Sequence, residues 1–272
     1  MSKYYFTIAV ISIIVFASGC KKVYDYIDHH PTSTCDACQV VQLTAYYHGD
    51  PTVFSINYDK KGNVTSIIGD RDHPEYDYYI RYDKQNRVSD IISIYHGNTG
   101  AVTWETFRYF PGKIVDTIYA YAGLITDPNP PYDAYNKNYA VLKTDDLGRV
   151  ISRVFFIPLA PNNPQSIIPF PYNSIGNLVL PGTIADNKIN PNRTNKLWQL
   201  MSLDYSVNNI VYDPAADSYY IQDEKPVIIS YNTYGLPIKY KTPKPYASPR
   251  VFGIVFDSMT VKYDCDFSGI NY

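Results

Sequence analysis

Residue types able to do chemistry are sparse in these 272 residues, and their spacing limits what each can do. A cysteine thiol is a nucleophile, an acylation site, a metal ligand or half of a disulfide, and its surroundings decide which. There are four, Cys20, Cys35, Cys38 and Cys265. Cys35 and Cys38 have the Cys-x-x-Cys spacing of half a zinc site, with His29 and His30 close by, but no second pair completes it, so no metal is expected. No βαβ context supports a thioredoxin-like redox role either. Asp70 with Asp72, and Asp264 with Asp266, have the composition of calcium or glycoside-cleaving carboxylates; their setting reads as solvated turn and strand-end charge. Of the other histidines, His48 and His96 recur in equivalent Tyr-His-Gly turns and His73 precedes a proline, which suits turn residues better than general bases. Gly-x-Ser-x-Gly elbows and phosphate-cradling glycine loops are missing. Neither a catalytic residue nor a cofactor is expected.

Tyrosine is the exception to this sparseness, at 29 residues. An aromatic face with a hydroxyl edge can stack on a sugar ring and bond its hydroxyls, so Tyr76, Tyr78 and Tyr79, or Tyr119 and Tyr121, are the candidate ligand-facing aromatics. Tyrosine is also a favoured strand residue, and cross-strand pairs contribute roughly 0.2–1 kcal/mol each without binding anything.

The elements that must position these side chains are read from a repeat. Tyr58-Asp59-Lys60-Lys61-Gly62-Asn63-Val64 recurs as Tyr82 to Val88 and as Tyr172 to Leu178, with degenerate copies at Thr144 to Val150 and Tyr231 to Pro237 and a copy one residue shorter at Tyr109 to Ile114. In each, an Asp or Asn can bond the backbone two residues on, and a Gly or Asn supplies positive φ, so each predicts a strand end, a turn and a strand start. Flanking alternation agrees: Phe54, Ile56 and Tyr58 on one face, and after the next turn Val88, Ile92 and Ile94 against Ser89, Ile91 and Ser93. The spacing predicts an all-β, antiparallel meander of about a dozen strands, curled or barrel-like because so long a sheet must curl, close or be covered. From Ile157 to Asn195 seven prolines interrupt the rhythm and predict a Pro-rich loop insertion of edge, bulge or loop, with a short helical turn or another strand at Leu197 to Met201.

Before the repeats, Lys3 precedes an apolar run from Phe6 to Phe16 that ends in Ala17-Ser18-Gly19-Cys20. The run is about half a bilayer span, so it reads as a secretory signal. It resembles the bacterial lipobox, which implies a signal peptide over 1–19, acylation of Cys20, a tether over 20–34 and one β domain over 35–272. Two or three acyl chains, at about 0.8 kcal/mol per buried methylene, anchor permanently, and the membrane is thus an expected partner. No aspartate follows Cys20, which fits the outer membrane; its periplasmic or surface face stays open. The remaining cysteines then offer a bond from Cys35 or Cys38 to Cys265, worth up to about 4–5 kcal/mol on a chain-entropy view, or a local Cys35–Cys38 bond. A net charge of −2 gives no electrostatic case for nucleic acid.

The turns resemble the tyrosine-aspartate (YD, or RHS) repeat, Tyr-Asp-x-x-Gly-Arg-Leu/Val, with its arginine present as Arg87 and Arg149. Together with the lipobox, Cys35 and Cys38, the stretch Asp186 to Pro191 and Tyr234-Gly235-Leu236-Pro237, the chain is similar to uncharacterised Bacteroidetes cell-envelope lipoproteins. That resemblance implies the β fold and no established activity. Asp116-Thr117-Ile118 and Asp257-Ser258-Met259 resemble the short sites at which such bacteria attach O-glycans. The expected role is a membrane-anchored, non-catalytic binding or scaffold module for a glycan or an envelope protein; the alternative is a secreted hydrolase with an acidic site in the Pro-rich insertion.

Overall fold

The repeated turns owe their shape to one local device. In the computed structural model, which describes residues 38–47, 49–70, 76–95, 101–122, 136–156, 164–212, 226–242 and 250–265, Asp59, Asp83, Asp145, Asn173 and Asn232 each accept, on one side-chain oxygen, the backbone N–H groups two and four residues further on. The residue three positions on takes positive φ in every copy: Gly62, Asn86, Gly148, Gly176 and Gly235. Asp and Asn serve equally because the turn needs only an acceptor at that point. Cys20, Cys35 and all five histidines lie outside the described residues, as do the expected signal segment and tether.

Ten strands follow one another as a meander: β1 (Cys38–Tyr47), β2 (Asp50–Tyr58), β3 (Val64–Gly69), β4 (Tyr76–Tyr82), β5 (Val88–Tyr95), β6 (Ala101–Phe110), β7 (Lys113–Ala122), β8 (Asn136–Thr144), β9 (Val150–Phe156) and β10 (Pro164–Pro169). The chain then forms a ribbon of β11 (Thr183–Ile189) and β12 (Asn208–Tyr212), with the helix α1 (Lys196–Ser202) between them. It returns to the sheet as β13 (Val227–Tyr231) and β14 (Pro237–Lys241), makes a small hairpin of β15 (Arg250–Val251) and β16 (Ile254–Val255), and ends in β17 (Ser258–Cys265). The main sheet is antiparallel, has 13 strands and runs β10 to β1 in reverse chain order, then β17, β14, β13. It curls without closing, since the edge strands β10 and β13 pair with nothing further among the described residues. Cys38 stands directly opposite Cys265 in the β1–β17 ladder, and the two are joined by a disulfide.

Four of the five Asx turns are followed by a bulge. Thr65, Ser89, Ile151 and Ile238 are skipped in the pairing of β2–β3, β4–β5, β8–β9 and β13–β14. A bulge reverses the alternation beyond it. This corrects the expected facing on β5: Val88 is in the main core, but Ile91 follows it there, while Ile92 and Ile94 belong to a second cluster on the other face. The shorter Tyr109 copy closes on Pro111-Gly112 with Gly112 at φ 70° and keeps an unbroken register.

A second recurrent device ties neighbouring hairpins. The hydroxyls of Tyr58, Tyr82, Tyr109 and Tyr263 donate to the carbonyls of Val40, Val64, Val88 and Pro237, near the start of the adjacent strand, at 2.8–3.0 Å. Burial pushes all four phenols well above their ordinary value.

The concave face is covered by the Pro-rich segment and its continuation. Far from being loop alone, that segment supplies the edge strand β10, bounded by Pro164 and Pro169, then β11 and a 3-10 turn at Pro191–Thr194. Asn195 caps α1 by accepting the N–H of Leu197, and Leu203 ends it at φ 49°. Helix α1 buries Leu197 and Trp198 completely, the indole meeting Phe252 edge-on at 5.1 Å. It is held to the turns from outside the core, as Asn195 donates to the Gly62 carbonyl and Lys196 to that of Asn86, with the Lys196 ammonium over the Tyr82 ring.

Candidate functional site

Between the concave face of β4–β9 and the end of α1 lies a cavity of about 180 Å³. Its floor is unusual for a sheet interior. Most inward positions are apolar, as period-2 patterning requires, but here Ser93, Thr103, Glu105, Asp116 and Arg153 point inward beside Phe107. The lip is formed by Met201, Leu203 and Gly253. A Cβ on Gly253 would lie 2.3 Å from the Met201 methyl, so the thioether rests directly on that backbone.

Asp116 and Arg153 make the centre of the site. Arg153 on β9 reaches across β8 to Asp116 on β7, and its terminal nitrogen donates to Asp116 Oδ2 at 2.8 Å. It passes Ala140, directly opposite Asp116, whose small side chain leaves the way open. The Arg153 guanidinium stacks on Phe155 at 4.5 Å. Burial raises the Asp116 carboxyl above its ordinary value, and the Arg153 charge pulls it back. Only part of each group is used: Asp116 Oδ1 and Arg153 Nε, both shielded from solvent, have no hydrogen-bond partner among the described residues. Glu105 is the diagonal cross-strand neighbour of Asp116, since Phe107 faces Asp116 and Ile118 faces Glu105.

Tyr78 and Tyr79, two of the candidate tyrosines, point to opposite faces of β4 and so do not share a platform. Tyr78 lines this cavity. Tyr79, one residue on, faces the opposite side and is 41% exposed. There the register runs Tyr79, Ile92, Trp104, Tyr119 across four strands. Trp104 is buried at the centre of that row, donating to Asp90 at 2.9 Å under the Arg81 guanidinium. Tyr119 packs against this cluster. Tyr76 and Tyr121 belong to β4 and β7, but their side chains lie outside the described residues.

One acid elsewhere is committed locally. Asp186, in the Pro-rich insertion, accepts from the Lys188 backbone, from Asn209 at 2.9 Å and from the Tyr231 hydroxyl at 2.5 Å. Asp70 follows β3 and Asp264 lies exposed in β17, while Asp72 and Asp266 fall outside the described residues. No group of three or more His, Cys, Asp or Glu side chains with metal-binding proximity occurs among the described residues, and none of their helices is long and apolar enough to cross a membrane. Sequence reasoning missed the Asp116–Arg153 site, although it had singled out Asp116 for another motif.

No family model matches this sequence, and no curated protein does. Among solved structures, a porin-like protein from Bacteroides vulgatus is similar over 83% of this chain and 98% of that one, at 13% identity and a TM-score of 0.42.

Proposed function

We propose that this chain is a bacterial envelope lipoprotein, acylated at Cys20 and held at the outer membrane, whose β domain is a non-catalytic binding module with the cavity over Asp116 and Arg153 as its binding site. The observation that carries the binding role is the pair of buried, unused polar atoms on those two side chains, because a buried acceptor and donor without partners cost about 1–3 kcal/mol each unless something fills them. The anchor rests on the sequence before Cys20. A non-catalytic role is favoured because the sequence carries neither a nucleophile elbow nor a phosphate-cradling glycine loop.

One observation favours a second reading, a glycoside hydrolase: Glu105 and Asp116 are two carboxylates on one wall of a concave site, about 7–8 Å apart between Cα atoms by the usual diagonal spacing. Two measurements separate the readings. Mass spectrometry of the processed protein should find an acylated cysteine at its N-terminus; a free Cys20 thiol ends the anchor. Incubation with aryl glycosides should release no phenol, whereas turnover abolished by Glu105→Gln would replace the module with an enzyme.

A further inference from the structure

We infer that the cavity takes a single sugar unit, gripped through two neighbouring hydroxyls by Asp116 and Arg153; this deepens the binding-module reading and rests on it. The ion pair leaves one acceptor, Asp116 Oδ1, and one donor, Arg153 Nε, without a hydrogen-bond partner among the described residues, on two side chains that line the cavity. A ligand that satisfies both must offer a donor and an acceptor side by side. A carboxylate would suit Arg153 but meet the charges of Asp116 and Glu105, and an ammonium would suit the carboxylates but offer Arg153 Nε no acceptor. Hydroxyl groups donate and accept at once and carry no charge, so a vicinal diol answers both atoms without leaving an ion unpaired. The walls agree. Ser93 and Thr103 add short polar side chains, while Phe107 and Tyr78 add aromatic surface of the kind that covers the C–H face of a pyranose ring. Size sets the limit: about 180 Å³ falls below the roughly 300–1,000 Å³ of pockets for drug-sized ligands. One ring enters, either as a free monosaccharide or as the end of a longer glycan.

The test uses the full chain, in a detergent without a sugar headgroup, and saturation-transfer NMR with methyl glycosides of mannose and galactose. Saturation transfer to these glycosides is expected, with binding about tenfold or more weaker for analogues lacking one hydroxyl of the diol, the loss of one hydrogen bond to a charged group. The deoxy series needs no altered protein; Asp116→Asn, which keeps the shape, should weaken binding similarly. The same sugar presented as the terminal unit of a trisaccharide distinguishes a glycan end from a free sugar by which binds better. Deoxy compounds that bind as well as the parents overturn the diol. Blank glycosides together with arginine or acetamide signals that Asp116→Asn removes overturn the sugar and leave the binding module standing. Blanks for all these compounds overturn both.

Discussion

Three arginine–aspartate pairs at nearly the same distance do opposite work in two regions of this molecule. At the turns, Asp83 and Asp145 are fully used: one oxygen takes two backbone N–H groups and the other takes both the Nε and a terminal nitrogen of Arg87 or Arg149. Those guanidiniums then lie over the next tyrosine in the series, Tyr109 at 4.3 Å and Tyr172 at 4.5 Å. In the cavity, Arg153 and Asp116 share a single contact and leave Oδ1 and Nε unused. Saturation of every polar atom marks a pair that builds the fold. The cavity pair instead keeps two polar atoms without a partner among the described residues.

The largest expected effect comes from breaking the cavity pair on the arginine side. Arg153→Met leaves the Asp116 carboxylate buried beside Glu105, and urea unfolding at neutral pH should show a loss of about 3–5 kcal/mol, most of it recovered when Asp116→Leu is added. Because burial holds the Asp116 pKa above its unfolded value, the folded state keeps that proton more tightly, so the deficit should shrink on acidification and grow as pH rises through the folded value. A deficit under about 1 kcal/mol that ignores pH would place the pair among mere surface contacts.

The turn pairs should respond with the opposite slope. At Asp59 and Asp83 burial pushes the carboxyl up, but hydrogen bonds from Asn63 or Arg87 and from the turn backbone outweigh it and leave both below the ordinary value. Their contribution is therefore present above the unfolded pKa and is lost as pH falls through the folded one. Asp83→Ala should cost about 1–2 kcal/mol, as loss of a capping acceptor does, whereas Asp83→Asn should cost less, since Asn173 and Asn232 already make the same turn. Equal losses in calorimetric melting for the two variants would mean that charge, not acceptance, shapes the turn.

Smaller effects separate the tyrosine latch from the arginine above it. Tyr82→Phe strands the Val64 carbonyl and should cost about 1 kcal/mol. With phenols raised by burial, the latch contribution is intact below an ordinary tyrosine pKa of about 10 and lost as pH climbs beyond it, so unfolding and phenolate absorbance should rise together in an alkaline titration. Arg87→Gln should cost least, under about 1 kcal/mol and less in high salt, because 44% of the Arg87 side chain is in solvent.

What could be read in the sequence was whatever is local. An acceptor at one position and a left-handed residue three further on define the turn within seven residues, which is why Asp59, Asp83, Asp145, Asn173 and Asn232 all stood out and the antiparallel meander followed. The bulges did not stand out, since Thr65, Ser89, Ile151 and Ile238 divide between hydroxyl and aliphatic side chains and carry no common signal; missing the extra residue put Ile91 and Ile92 on the wrong faces. The cavity was less legible still. Asp116 and Arg153 are 37 residues apart and meet only once three strands are in register with a small Ala140 between them. The curled sheet was expected, but α1 as its lid was left between a helical turn and a strand, because Lys196–Ser202 is too short for a helical period to show.

The place of β17 beside β1 sets the order in which this protein can be assembled. Strands β2 to β10 each pair with the strand just made, so they can zip up as the chain emerges, but one flank of β1 must wait for β17, the last strand among the described residues. Until Ser258–Cys265 arrives, that flank is a row of bare amides and carbonyls open to a neighbouring molecule. A chain stopped at Phe256 would carry this open flank permanently, and self-association would be its signature.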